Sequence, residues 1–535
     1  MNLSQSYWKA TTGSELNAIS CGDALRKAAC SVPQKTALVE GTADRQTRRR
    51  FTYQELLERS ETAARALLMR FQPGDHIAVW AGNCPEWVIL QFGLSLAGMV
   101  MVTVNPAYRP SELSYVLKQS RSKGILYQKS YRGNSMEDAL RAVREELPEL
   151  KEAVCFDDLD DFFASGNKER QLPEVASHDP VMIQYTSGTT GFPKGAHLHH
   201  HGVTNNARFA ATTRGGAGGT VDISAMPLFH TGGCVVGVLG TIQTQGTLVL
   251  MSEFEPNLFL TLIEQEQAQY TIAVPTMLVA ILETIQTGNY DISSMQAVVS
   301  GGSTVPVELV KRIEAEMGVK FSIVFGQTET SPVITMGRLD DSPEDKSESL
   351  GRALDHTEVK IIDPETDAIV PIGVTGEMCT RGYLVMNGYF EMPEATKKTI
   401  DENNWLHTGD LCSMDQRGYC YVEGRLKDMI IRGGENIYPR EIEELLFAHP
   451  DIAEVAVVGI PDEKWGEQIG AFVRRNQGSN ISSDELHDYM REHLAPHKTP
   501  KLWVSVAEFP LTASGKIQKF ELAKMLEKEE LKPNM

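Results

Sequence analysis

At 535 residues the chain is too long for one average core; its length predicts about two to four domains, each stable without staples. Apolar residues make up 41% and charged residues 23%, a globular balance that excludes long disorder. The net charge of -20, from 51 basic and 71 acidic residues, excludes nucleic acid and anionic lipid as favoured partners, and any anionic substrate must be held by a few local cations.

In chain order, residues 53–69 carry helical spacing and 77–80 read as a buried strand. Residues 87–108 form a stretch of 22 uncharged residues, nominally long enough to span a membrane. They divide better into two soluble elements: a helix capped by Asn83 and Glu86 with Pro85 in its first turn, ended by Gly98, then a strand over 99–104. Further strands are predicted at 181–185, 247–250 and 297–299, and helices at 256–266 and 305–317. This alternation predicts an α/β fold built on largely parallel sheets. From about Gly351, short strands at 359–362, 376–380 and 419–422 predict a β-rich subdomain. After Gly424-Arg425-Leu426-Lys427-Asp428 come a helix at 439–447, strands at 455–459 and 471–474, and a helix at 483–494. The expected organisation is a large domain over 1–424, a hinge at 425–427 and a small α+β domain over 428–535.

The eight cysteines form no C-x-x-C pair, so they suggest neither a zinc site nor a disulfide framework, and buried free thiols are expected. The first thirty residues lack a basic start before an apolar core, so no secretory signal is visible and a cytoplasmic location is expected. If the source is eukaryotic the mitochondrial matrix stays open, without a clear transit peptide. The short run Arg48-Arg49-Arg50 reads as a solvated loop.

The strongest local signal is Tyr185-Thr186-Ser187-Gly188-Thr189-Thr190-Gly191-Phe192-Pro193-Lys194-Gly195, between an apolar strand and a helix-compatible segment. Its glycines let backbone N–H groups approach phosphate oxygens, its hydroxyls add donors, and Lys194 adds charge. The spacing differs from the G-x-x-x-x-G-K-[ST] loop of common NTPases, since Pro193 separates the glycines from Lys194. A plain polar turn is the bland reading, and the density of this run outweighs it.

This segment resembles the nucleotide loop of the adenylate-forming superfamily, which includes acyl-CoA synthetases, adenylation domains of peptide synthetases and beetle luciferases. In the same order, Phe325-Gly326-Gln327-Thr328-Glu329, His407-Thr408-Gly409-Asp410-Leu411, Gly424 to Asp428 followed by Gly433-Gly434-Glu435-Asn436, and Pro510 to Lys516 are also similar to that family. The likeness covers about residues 51–519 and is nearest to medium-chain acyl-CoA synthetases. It implies ATP, Mg²⁺ and CoA as reactants and cofactors. It places Thr186, Ser187, Gly188, Thr189, Thr190, Gly191 and Lys194 on phosphates, Phe325 against adenine, Gly326 and Gln327 beside it, and Gly302 and Ser303 near adenine and the acyl carbonyl. Thr328 would bind phosphate and Glu329 the metal. Asp410 would accept the ribose hydroxyls with Arg425 in support. His230, Gly232 and Gly233 would border the acyl channel, and Gly433 and Gly434 the pantetheine tunnel. Lys427 would be the hinge, and Lys516 would serve the first half-reaction only. The family usually has tyrosine where Phe325 stands; the stacking face is kept and the hydroxyl is lost.

Each motif alone has a bland alternative: a strand end and cap for Phe325 to Glu329, a Gly-Asp turn for Asp410, a helix N-cap for Gly302 and Ser303, and a packed core histidine for His230. The cluster His197-Leu198-His199-His200-His201 looks like a metal site, but zinc ligands usually come from separated elements, so structural histidines are expected. The implied reaction is in-line attack of a carboxylate on the α-phosphorus of ATP, then thioester formation with CoA. The rivals are an aryl-CoA ligase, an enzyme that charges a carrier protein, a luciferase-like oxygenase and a non-catalytic nucleotide binder. Partners are expected to be small molecules, with a homodimer left open.

Overall fold

The computed structural model describes residues 3–186, 193–216, 218–303, 305–433, 435–462, 464–512, 516–528 and 530–533. Two large sheets with helical layers, a five-stranded antiparallel sheet and a small C-terminal sheet make up the molecule.

In the six-stranded sheet, Val100–Val104, His76–Trp80, Gly124–Tyr127 and Glu152–Cys155 run parallel, with Pro180–Thr186 beside Val100–Val104. All of Val100–Val104 is buried, the mark of a parallel strand covered on both faces. Helix Pro85–Leu96 is almost wholly buried against this layer, which explains the long uncharged stretch: it is a core helix followed by a core strand. Among the described residues no helix is long and apolar enough to cross a membrane. The start of that helix differs from the sequence expectation. Cys84 occupies the N-cap without a side-chain bond. The Asn83 amide instead donates to the Met226 and Met251 carbonyls and its oxygen accepts from Leu228 N–H, tying the two large sheets together. Buried backbone groups between layers need such partners, and Asn supplies both kinds.

The nine-stranded sheet runs Arg352–Ala353, Val333–Met336, Lys320–Gly326, Ala297–Gly301, Tyr270–Ala273, Val221–Ser224, Thr247–Leu250, Thr36–Glu40 and Arg50–Thr52, parallel except at its edges. Of the basic run at 48–50, Arg50 opens the edge strand and is exposed together with Arg49, as the solvated reading expects, whereas Arg48 departs from it. The Arg48 side chain is buried and donates to Glu266 and Gln265, because one internal carboxylate needs a fixed counter-charge. The five-stranded sheet orders Tyr7–Trp8, Thr357–Ile362, Gly376–Gly382, Leu406–Met414 and Cys420–Arg425. Its N-terminal strand carries too little apolar pattern to be read from sequence.

The C-terminal sheet holds Glu435–Ile437, Ile430–Arg432, Gly466–Arg475, Ile452–Asp462 and Leu502–Ser505, with helices Pro439–Phe447 and Ser483–His493 against it. Ile437, Ile442, Leu446, Ile469, Val473 and Leu486 form its own core. Among its contacts with the rest, Arg440 donates to the Val422 carbonyl at 2.7 Å, and Arg474 lies 3.8 Å from Glu283 of helix Pro275–Thr287.

Candidate active site

Parallel α/β sheets offer ligand sites beyond the carboxyl ends of their strands. Ala297–Gly301 and Lys320–Gly326 pair in parallel, so Gly302 and Phe325 emerge at one edge. Gly302 has φ +82°, a left-handed backbone that glycine adopts without strain. Phe325 is half-buried, which leaves ring surface available for stacking. A Cβ on Gly326 would lie 1.9 Å from the Pro332 carbonyl, so the turn into the short helix Thr328–Thr330 requires glycine.

That helix presents Thr328, half-buried, and Glu329, buried. The Tyr389 hydroxyl donates to Glu329 Oε1 at 2.6 Å, and burial together with Glu329 raises the Tyr389 phenol well above its ordinary range. Lys194 Nζ stands 4.9 Å from the centre of the Tyr389 ring. Tyr389 thus links the end of the phosphate-loop segment to the carboxylate expected to hold a metal. Sequence reasoning missed it. Its aromatic-after-glycine setting marks a turn, but nothing local announces a contact sixty residues away.

Asp410 and Arg425 face each other on adjacent antiparallel strands, and Arg425 Nε donates to Asp410 Oδ1 at 2.9 Å. Burial raises the Asp410 carboxyl, with Arg425 opposing that rise. The loop before Asp410 is fixed from behind. Gly409 N–H donates to Glu377 Oε1 and His407 Nδ1–H to Glu377 Oε2, each at 2.9 Å.

Lys516 comes from the C-terminal domain. A Cβ on Gly302 would sit 3.4 Å from its Cε and 3.8 Å from its Nζ, so the ammonium lies over the Gly302 turn. Burial pushes it down to about 8, Arg425 pushes the same way, and Asp410 and Glu329 pull it back. His230 also feels the Lys516 charge. Burial foremost, then Lys516, hold its imidazole down to about 3, so it is neutral at working pH. Gly232 N–H donates to His230 Nδ1 at 3.1 Å, which leaves the ring proton on Nε2. A Cβ on Gly233 would meet the Pro227 carbonyl at 2.2 Å, and Gly232–Leu239 then forms a wholly buried π-helical turn set. Such turns are frequent at functional sites.

The structure therefore groups Lys194, Gly302, Phe325, Thr328, Glu329, Asp410, Arg425, His230 and Lys516 at one edge. Ser303 and Gln327 are half or fully exposed beside them, and Thr186 Oγ1 donates to the Lys194 carbonyl at 3.4 Å. Ser187, Gly188, Thr189, Thr190 and Gly191 of the phosphate loop, and Gly434, lie outside the described residues. The loop leads into a strand rather than the expected helix: Lys194–His199 pairs antiparallel with Pro180–Thr186, and the helix starts at His200. Gly433 is away from this edge, beside the Trp465 ring, and its N–H donates to the Trp465 carbonyl. Lys427 is exposed at the turn between the two parts. Of the histidine cluster, His199 Nδ1 accepts from Gly202 N–H, and the His201 ring lies tilted 4.7 Å from that of His178.

A family model described as AMP-binding enzyme matches residues 25–390, and one described as AMP-binding enzyme C-terminal domain matches 441–516. The chain belongs to the AMP-binding enzyme family. It is 40% identical to YngI of Bacillus subtilis (strain 168), assigned as an acyl-CoA synthetase, over 94% of this chain and 96% of that one. It is 36% identical to the mitochondrial medium-chain acyl-CoA ligase ACSF2 of Bos taurus, over 98% of this chain and 90% of the relative. ATP-bound MatB from Rhodopseudomonas palustris superposes with a TM-score of 0.87 at 28% identity, covering 96% of this chain and 100% of that chain. MatB without ligand gives 0.77, so the arrangement of this chain is nearer the ATP-bound one.

Proposed function

We propose that this enzyme is an ATP-dependent fatty acid:CoA ligase of medium-chain preference that works through an acyl-adenylate. The observation that carries this reading is the lid lysine: Lys516 is lodged over Gly302, within electrostatic reach of Asp410, Arg425 and Glu329. In this reading Phe325 covers adenine, Asp410 accepts the ribose hydroxyls while Arg425 orients it, and Thr328 with Lys194 holds phosphate oxygens. Glu329 is suited to a hard cation, since Tyr389 takes Oε1 and leaves Oε2 as the oxygen a metal would meet. Mg²⁺ there would neutralise charge on the phosphates.

The acid is already a carboxylate at neutral pH, so no general base is needed. Its oxygen attacks the α-phosphorus, the bond to pyrophosphate breaks, and the mixed anhydride forms. Two anions must meet, so the barrier is largely electrostatic, and Lys516 brings a positive charge to that encounter. The lid then turns about Lys427 and brings Gly433 to the thiol's path. CoA sulfur attacks the acyl carbonyl, AMP leaves, and the thiol proton goes to solvent.

The acyl channel is assigned to the segment from His230 through the buried Gly232–Leu239 turns, which are small and apolar. Each methylene buried there adds about 0.8 kcal/mol until the channel is full. The test is kcat/KM across acetate, butyrate, hexanoate, octanoate, dodecanoate, palmitate and benzoate at fixed ATP and CoA. A peak near hexanoate to dodecanoate is expected; a maximum at acetate or benzoate overturns the channel. Pyrophosphate release with acid and ATP alone, measured beside it, tests the adenylate separately.

A further inference from the structure

Glu377 and Cys379 lie on strand Gly376–Gly382, and His407 lies across from Cys379 on Leu406–Met414. The ladder shifts register between Glu377 and Cys379, a bulge that re-aims side chains. One side-chain donor atom from each residue falls within 4.8 Å of the other two, the only such group of three among the described residues. Cys379 Sγ is 3.6 Å from His407 Nδ1, and Glu377 Oε2 is 2.9 Å from the same nitrogen. Bonds of about 2.3 Å to sulfur and about 2.0–2.1 Å to nitrogen or oxygen imply edges of about 3.6 and 3.3 Å in a tetrahedron. The sulfur edge is already met and the oxygen edge needs only a small rotation. Glu377 and Cys379 are buried, while the His407 side chain is 25% exposed, which opens one side to solvent and a fourth ligand.

We propose that Glu377, Cys379 and His407 form a binding site for a soft divalent cation of the zinc class, separate from the Mg²⁺ position at Glu329. Thiolate and imidazole favour such a cation over Mg²⁺, with the carboxylate and a water completing four ligands. Binding releases the Cys379 thiol proton to solvent. Binding through Nδ1 displaces the proton that His407 gives to Glu377, and the bound imidazole carries its one proton on Nε2, the surplus leaving to solvent. The absence of any C-x-x-C pair hides this site from sequence, because its ligands come from two strands. The site also reaches the nucleotide edge: Glu377 Oε1 holds Gly409 N–H, next to Asp410. Occupancy therefore shifts ATP binding, a consequence that rests on Asp410 being the ribose carboxylate.

The test uses the full-length enzyme with Co²⁺ as a spectroscopic substitute. The wild type should bind one equivalent and show a thiolate-to-cobalt band in the near ultraviolet with strong tetrahedral bands in the visible. Cys379→Ser should lose the near-ultraviolet band, and Cys30→Ala, which removes an exposed thiol, should keep it. X-ray absorption on the wild type should find one sulfur at about 2.3 Å, independent of any variant. No sulfur neighbour in the wild type, or a band that survives Cys379→Ser, overturns the site. In parallel, one equivalent of Zn²⁺ should change the ATP KM several-fold in the wild type and not in Cys379→Ser. An unchanged KM beside a bound metal overturns the coupling and leaves the site standing.

Discussion

Two of the cations at the candidate nucleotide edge, Arg425 and Lys516, are held in opposite ways. Arg425 belongs to the same sheet as its partner: Asp410 faces it across the ladder and raises its already high pKa. Lys516 arrives from another domain and loses hydration there, so burial pushes it down to about 8. In the body Arg425 and Asp410 are fixed to each other, whereas the C-terminal domain brings the Lys516 charge to them from outside. Preorganised dipoles and charges are what electrostatic catalysis requires, and a movable charge lets one site serve two half-reactions.

The sharpest way to break this contrast is Lys516→Ala. Adenylation should fall about 10²–10³-fold, while thioester formation from supplied acyl-adenylate persists. Rapid-quench assays of each half-reaction decide it, and equal losses would remove the special role of the lid charge. Lys427→Pro should do the reverse. Proline fixes φ and removes a donor, so the turn cannot change conformation, and CoA transfer should drop steeply while pyrophosphate release continues. Stopped-flow traces with both steps intact would mean that rotation occurs elsewhere.

Tyr389→Phe probes the fixed half. Losing one bond to a charged carboxylate should raise the Mg·ATP KM about tenfold, with thioester formation unaltered. A change confined to thermal stability would make the tyrosine a packing residue only. The smallest effect is in the pH profile. Lys516 has a pKa lowered to about 8, and phosphates around it should raise it, so ATP binding should take up a proton above about pH 8. The ATP KM for adenylation should therefore rise as pH increases through about 8, and Lys516→Ala should flatten that slope. A slope that persists in the variant would place the titration on another group.

The strands and helices that were legible have a strong period: Thr247–Leu250, Pro256–Glu266 and Pro439–Phe447 match the sequence reading at both ends. The motifs of the site were legible through dense glycine, hydroxyl and charge patterns. What could not be read were pairings set by tertiary packing. Tyr389 on Glu329, Asn83 between two sheets, Arg48 on Glu266 and the Glu377–Cys379–His407 group all join residues far apart in the chain. The strand Lys194–His199 was obscured because one segment suits either element, and only pairing with Pro180–Thr186 decides between them.

His230 has a consequence for how the acid is recognised. Its imidazole is neutral and its tautomer is fixed by Gly232, so in the proposed channel it would meet the acid's head group as a hydrogen-bond donor, without a countercharge. The proposed channel would therefore judge hydrocarbon, with little check on the charge of the head group. A fatty amide or alcohol of matching length would occupy that channel much as the acid does, yet would offer Lys516 no anion to join. Recognition would then be divided between two parts of the protein, length by the proposed channel and charge by Lys516.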